Sequence, residues 1–276
     1  MTAPVVLKFG GELLEDAPRM RAVVASIAQI AATGTPFVIV HGGGKEIDAA
    51  LKLAGIEKRQ VEGLRITDEP TLDVVVSVLA GVVNTRLVAT LSAAGVPAAG
   101  LTGADGGCGI SDVARPHKTV GGQLVELGRV GLPNRASDMR VLQTLLNAGI
   151  VPVVSSIGMT KDGQLLNVNA DTMAGHLARG LRARRLVIAG STPGVLDGAG
   201  RTLGLLDAAA IAELVNSGAA TAGMIAKLHA CEDALAGGVD DVVIMDGRDR
   251  EALCAAASGA VPAAATRIVT TVGTRS

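Results

Sequence analysis

Apolar residues along this chain follow two patterns that alternate. Short runs rich in β-branched residues, Pro4-Val5-Val6-Leu7 and Pro36-Phe37-Val38-Ile39-Val40, are apolar at nearly every position. That is the signature of strands buried on both faces of a parallel sheet. Between them the apolar positions spread to every third and fourth residue: Val23, Ile27 and Ile30 predict a helix over about 18–33, and 45–54 reads the same way. Residues 68–94 predict one long helix with a broad apolar face of Leu72, Val75, Val76, Leu79, Val82 and Val83, and Asp68 or Thr71 as its N-cap. Two stretches, 118–130 around Gly121-Gly122 and 157–168 around Lys161-Asp162-Gly163, read as β-hairpins of the kind that rim a site.

A helix over about 171–181 and a charged break at 182–185 come next. A strand over Arg184–Ala189, helical stretches near 211–214 and 225–236, and strands at Val242–Ile244 and near Arg267–Val269 complete the series. Alternation of this kind predicts an α/β fold with a mainly parallel, doubly wound sheet between helices, and ligands outside the carboxyl ends of its strands. A boundary near residue 180 divides the chain into lobes of 1–180 and 181–276.

Composition removes several function classes. A net charge of -1 over 276 residues provides no basic field for nucleic acid or an anionic membrane. Two Phe with no Trp or Tyr leave no platform for stacking bases, so the core must be built from Val, Leu, Ile and Ala. Mean hydropathy is +0.43, yet charges or glycines interrupt every apolar stretch before it reaches the roughly 18 residues of a membrane span. Three scattered cysteines, Cys108, Cys231 and Cys254, read as packing thiols of a reducing, cytoplasmic compartment. His41, His117, His176 and His229 have no ligand spacing, and no protein metal site is expected.

The candidate chemistry lies in three segments: Lys8-Phe9-Gly10-Gly11, His41-Gly42-Gly43-Gly44 and Gly223-Met224-Ile225-Ala226-Lys227. The first two follow predicted strands and precede helices, the order in which unpaired backbone N–H groups point at an anion. Glycine lets the backbone approach a phosphate without a Cβ in the way. Two lysines and two bare-backbone loops are what phosphoryl transfer between two anions requires. His41 reads first as a structural hydrogen-bonding group of its loop, with a contact near the phosphate as the alternative. Neither the P-loop pattern nor the protein-kinase motifs occur.

These segments, with Gly63-Leu64-Arg65-Ile66-Thr67, Asn167-Val168-Asn169-Ala170-Asp171 and Pro193-Gly194-Val195-Leu196-Asp197, resemble the amino acid kinase family, and within it the acetylglutamate kinases, over essentially the whole chain. The resemblance implies a three-layer α/β/α sandwich, with the first lobe for the amino acid and the second for ATP. It implies ATP-dependent phosphorylation of the side-chain carboxylate of N-acetyl-L-glutamate, a step of arginine biosynthesis. A sister kinase for another N-blocked amino acid, such as carrier-linked aminoadipate, and a catalytically weak ligand-sensing homologue are the alternatives.

Carried over residue by residue, the resemblance makes Lys8 and Lys227 the groups that hold the transferring phosphoryl group, with Asp171 orienting both ammonium groups. Gly43, Gly44, Arg65 and Asn167 face the substrate, and Gly10, Gly11, Ser191, Gly194 and Leu196 face the nucleotide. Gly10, Gly11, Gly43 and Gly44 are expected to donate backbone N–H groups, and Asn169 to support its loop. The plainer reading of Asp171 is a helix N-cap or first-turn carboxylate. ATP would bring Mg²⁺ bridging its β- and γ-phosphates. The long helix would form a homodimer interface, and with only Met1, Thr2 and Ala3 ahead of Pro4, insensitivity to arginine is expected. Two departures stand out. Ser191 occupies a place where the family carries Asp, which either weakens the nucleotide side or leaves Asp197 to compensate. Ala265-Thr266-Arg267 replaces the usual Gly-Thr-Arg.

Overall fold

The all-apolar runs can be buried only in the middle of a layered structure, and the computed structural model, which describes residues 2–119, 121–218 and 222–270, puts them there. Eight strands form one sheet: β1 (Val5–Phe9), β2 (Phe37–His41), β3 (Ala98–Thr102), β4 (Val151–Ser155), β5 (Arg185–Gly190), β6 (Leu205–Leu206), β7 (Asp241–Asp246) and β8 (Thr266–Ile268). Their order is β6-β8-β7-β5-β1-β2-β4-β3. The pairs from β7 through to β3 are parallel, β8 runs antiparallel to β7, and β6 is parallel to β8.

The two faces of each strand feed two separate cores. Val5, Leu7, Phe9 and Ile39 pack against helix α1 (Ala17–Ala32), helix α3 (Glu69–Ala93) and helix α8 (Arg250–Ser258); helix α2 (Gly44–Leu53) adds Ile47 and Leu51. Val6, Val38, Val40 and Ile188 face Leu142 of α4 (Arg140–Asn147), Met173 and Leu177 of α5 (Ala170–Gly180), Ile211 of α6 (Ala208–Asn216) and Leu228 of α7 (Ala222–Ala236). Helix, sheet and helix therefore make the three expected layers. β1 is where the winding reverses: β2, β4 and β3 lie to one side of it, and β5, β7, β8 and β6 to the other. In open α/β sheets, the crevice at the carboxyl end of such a strand is the ligand site.

Asp68 is the N-cap of α3, accepting a hydrogen bond from the Thr71 N–H at 3.0 Å. The helix is continuous over the predicted span but turns π-helical over Ser77–Val83. Its length, and a mean hydropathy of 1.9 over its most apolar 18 residues, would by themselves suit a membrane span. Here, however, Leu72, Val75, Leu79, Val83, Leu87 and Leu91 are spent on the protein core, while Val82 stays 56% exposed.

Both hairpins form. Ile157–Met159 pairs antiparallel with Leu165–Val168, and His117–Lys118 with Leu124–Val125; Val120, inside the second, lies outside the described residues. The sequence pattern does not reveal that the first hairpin joins Val130–Pro133 and Ser111–Val113 in a separate four-stranded sheet. Its short strands are irregular in burial and depend on partners distant in sequence. Nor is the reversed direction of β8 visible in an apolar triplet.

The charged break at 182–185 has a specific use. Arg185 opens β5 directly opposite Asp241 of β7, and its guanidinium meets that carboxylate through Nε at 2.6 Å and Nη2 at 2.7 Å. Arg267 of β8 reaches the same carboxylate at 2.8 Å, and Arg185 Nη1 donates to the Ala256 carbonyl at 2.9 Å. Asp241→Asn would leave the buried Arg185 charge uncompensated and is expected to destabilise the fold by roughly 3 kcal/mol. Urea unfolding checks this, and a loss below about 1 kcal/mol would show that the clamp is not what joins these strands.

Candidate active site

Lys8 is the fourth residue of β1, held in register between Val40 of β2 and Ile188 of β5. Its side chain leaves the sheet near the carboxyl edge and meets Asp171 Oδ1 at 2.8 Å. Lys227, on α7, meets Asp171 Oδ2 at 2.9 Å. One carboxylate thus holds two ammonium groups contributed from opposite halves of the chain. Asp171 is the second residue of α5, whose N-cap is Asn169; the Asn169 Oδ1 accepts from the N–H groups of Asp171 at 2.8 Å and Thr172 at 3.2 Å. The expected supporting role of Asn169 and the first-turn reading of Asp171 are the same geometry. Burial pushes the Asp171 carboxyl upward, but the charges and hydrogen bonds of Lys8 and Lys227 outweigh it and hold the group well below the ordinary carboxylate range.

The two glycine loops touch backbone to backbone. A Cβ on Gly11 would sit 3.0 Å from Gly43 Cα and 3.2 Å from Gly44 N, so only glycine lets them close on one site. Gly43 and Gly44 open α2, where first-turn N–H groups have no intrahelical partner. Gly10 differs from expectation: its N–H is spent on the Ala189 carbonyl at 2.9 Å, so it is not a free donor. Its lack of a side chain instead makes room for the carboxyl group of Glu12.

Gly43, Gly44, Arg65 and Asn167, the residues expected to face the substrate, line one cavity of about 250 Å³ with Ser156 and Asn169. Arg65 is largely buried there. Its Nη2 pairs with Asp48 of α2 and lies 3.5 Å from the Gly44 carbonyl, while its Nη1 is buried without a hydrogen-bond partner. A buried guanidinium edge without an acceptor suits an arriving carboxylate. Asn167 donates to Thr67 Oγ1 at 3.0 Å, which fixes its amide at the cavity wall. Asp48 is not among the sequence-predicted site residues, and Thr67 is present there only as the last residue of the Gly63–Thr67 segment, with no role assigned. Asp48, four residues after Gly44 and so on the same side of α2, was the available signal for one of them.

The predicted nucleotide residues are more dispersed. Ser191 and Leu196 are exposed, whereas Gly194 is buried where a Cβ would strike Thr266 Oγ1. The same hydroxyl accepts from the Val195 N–H at 2.8 Å and so fastens this loop to β8. Asp197, considered as a substitute for the family carboxylate, is tied into its own turn: it accepts from the N–H groups of Ala199 and Arg201 and from Arg201 Nε, each at 2.9 Å. The Ser191 carbonyl accepts from Arg248 Nη2 at 2.9 Å. Among the described residues no group of three or more His, Cys, Asp or Glu side chains could hold a metal ion.

With this geometry, the comparisons are specific. The chain belongs to the amino acid kinase family, whose model matches residues 3–246. Its relatives include the acetylglutamate kinase of Novosphingobium aromaticivorans, 40% identical over 88% of this chain and 83% of that protein. The acetylglutamate kinase of Methanopyrus kandleri is also 40% identical, over 87% of this chain and 93% of its own length. Among solved structures, smu.665 from Streptococcus mutans matches with a TM-score of 0.80 and 26% identity, covering 98% of this chain and all (100%) of the other. An N-acetylglutamate synthase from Neisseria gonorrhoeae shares the fold at a TM-score of 0.80 and 24% identity, covering 98% of this chain and 60% of that one.

His41, at the head of the second loop, is fully buried. Asn84 Nδ2 approaches its Nε2 at 3.0 Å and also donates to the Val153 carbonyl at 2.9 Å, so Nε2 accepts and Nδ1–H donates to the Gly42 carbonyl at 3.1 Å. Its place is structural. Burial pushes its pKa down from 6.5 to about 4, although the Gly42 hydrogen bond opposes the shift. His176 is pushed to about 4 as well, by burial and then by the charge of Arg179. The unfolded chain therefore binds more protons between these values, and this contribution, present above pH 6.5, is lost as pH falls toward 4. Stability is expected to decline across that window, by on the order of 3 kcal/mol for each such histidine. Chemical denaturation of the parent and His41→Gln proteins at several pH values measures it; equal acid sensitivity in the two would exclude His41 as a source.

Proposed function

We propose that the protein transfers the γ-phosphoryl group of ATP to the side-chain carboxylate of N-acetyl-L-glutamate, forming the 5-phosphate and ADP in arginine biosynthesis. The observation that carries this reading is the placement of Lys8 and Lys227 on the two oxygens of Asp171, beside closed glycine loops and the cavity of Arg65. The high identity to acetylglutamate kinases supports the choice of substrate.

An acceptor carboxylate with a pKa of about 4.3 is already ionised at neutral pH, so no general base is needed. Its oxygen forms the new P–O bond while the bond from phosphorus to the β–γ bridging oxygen breaks, and that oxygen leaves on ADP with the electron pair. The protein must bring the anions together and neutralise the transferring group. Lys8 and Lys227 do so from opposite sides, and Asp171 keeps them in place when no phosphate is between them. Arg65, with Asp48 holding one edge of its guanidinium, offers Nη1 to the substrate α-carboxylate, and Asn167 takes the N-acyl region. The main-chain N–H groups of Gly11, Gly43 and Gly44 serve the phosphoryl oxygens. The nucleotide uses the second lobe, 181–276, around Ser191, Gly194 and Leu196, and the amino acid uses 1–180. Mg²⁺ arriving with ATP would supply further charge neutralisation at the phosphates.

The enzyme acts in the cytoplasm as a homodimer. The exposed strip of α3 that includes Val82, together with the open edge of β3, supports this assembly. Light scattering should give about twice the 27.6 kDa chain mass, and a monomer at working concentration would refute it.

Substitutions in the two halves of the site should separate kinetically. Lys8→Ala or Lys227→Ala is expected to lower kcat by roughly 10² or more, as removal of a preorganised transition-state donor does. Arg65→Lys should instead raise KM for the amino acid about tenfold or more, with little change for ATP, because an ammonium cannot replace the fork. Hydroxamate trapping with ATP, Mg²⁺ and a panel of N-acyl amino acids reads both effects. Near-parental turnover in either lysine variant, or an ATP-selective defect in Arg65→Lys, would remove the assigned role.

A further inference from the structure

The carboxyl group of Glu12 has no role in the machinery described above, yet it lies inside it. Glu12 directly follows the Gly10-Gly11 pair, in the single 3₁₀ turn Gly11–Leu13. Its half-buried side chain does not extend into solvent but folds back over the end of β1. The carboxyl group fills the place where Gly10 would carry a Cβ, and Oε1 lies 3.4 Å from the corresponding point on Gly190. Gly10 and Gly190 are the carboxyl-end residues at β1 and β5, the strands between which the winding reverses. The acidic group is therefore at the crevice itself.

Other carboxylates around it are already matched. Glu15 binds Arg19 and Lys45, each at 2.8 Å, and Asp16 accepts from the Arg19 N–H at 2.8 Å. Asp171 holds two lysines, Asp197 is closed in its turn with Arg201, and Asp246 is bound by Arg248 at 2.6 Å. Among the described residues the Glu12 side chain has neither a hydrogen bond nor an ion pair; only its main-chain carbonyl accepts one, from Arg19 Nη1 at 3.3 Å.

An unmatched negative charge at a site for a triphosphate opposes the ligand. That repulsion grows as the surroundings become less water-like, as they do around a half-buried side chain. A cation between the two anions reverses the sign. Mg²⁺ suits that position, since it is commonly bound by one or two carboxylates together with phosphate oxygens and water. We infer that Glu12 is the protein's carboxylate for the divalent cation carried by the nucleotide. The inference rests on the phosphotransfer reading and adds to it a metal-facing residue. Ser191, the residue after Gly190, is exposed where the chain leaves β5.

The test is nucleotide binding without turnover. Calorimetric titration of ADP, with and without Mg²⁺, is run on the parent protein, Glu12→Gln, and Glu12→Gln combined with Ser191→Asp. The isosteric Gln preserves the shape of the turn. In the parent, Mg²⁺ should tighten ADP binding; in Glu12→Gln that enhancement should fall about tenfold or more, while metal-free ADP binds equally well or better. Ser191→Asp should recover part of the enhancement in the Gln background. Electron paramagnetic resonance with Mn²⁺ and ADP should show the matching loss of bound metal in Glu12→Gln. An unchanged Mg²⁺ enhancement, or tighter MgADP binding in Glu12→Gln, would overturn the role of Glu12 and leave the kinase reading intact. A parent protein that binds no adenine nucleotide would overturn both.

Discussion

The site depends on a single buried carboxylate shared by two cations. Lys8 on a central strand and Lys227 on a helix of the other half would repel each other, and Asp171 gives each one oxygen at hydrogen-bond distance. A carboxylate at the start of a helix is favoured further by the helix dipole, so Asp171 stays ionised although burial opposes it. The surrounding architecture follows from the need to hold this triad. β1 is flanked on both sides, Asn169 fixes the first turn of α5, and α7 lies against α5 so that Lys227 can reach the same carboxylate.

Glycine has two separate uses around this triad. At Gly11 and Gly43 it permits two backbones to approach, which joins the ends of β1 and β2 into one floor. At Gly10 it makes room for a side chain from two residues further on. A loop that reads as a plain phosphate cradle thereby also carries an acidic group, and its charge is less positive than two lysines and free N–H groups alone would make it.

Much of the site was legible in the sequence because it is built from contiguous segments with strong local preferences. All-apolar runs specify buried strands, glycines after them specify the turns, and Asn169-Ala170-Asp171 reads as a helix start. The pairing of Arg65 with Asp48, the hydrogen bond from the Asn167 amide to the Thr67 hydroxyl, and the Asn84 contact with His41 were not legible, since each joins segments 17 to 100 residues apart. The second sheet and the antiparallel β8 were hidden for the same reason: short strands take their direction from partners, not from their own pattern. The Gly10 N–H is likewise taken by a parallel neighbour, β5, which the glycine pair alone does not reveal.

The aliphatic composition of the interior has a consequence for observation. Phe9 and Phe37, both buried in the sheet, are the chain's only benzenoid side chains, with no Trp or Tyr to accompany them. The polypeptide is consequently almost dark in the near ultraviolet, and the absorbance of a bound adenine ring stands against nearly no protein background. A single tryptophan introduced at the exposed Leu196, beside the loop that runs from β5, would be the sole emitter in the molecule, so every change in its signal could be ascribed to that one place.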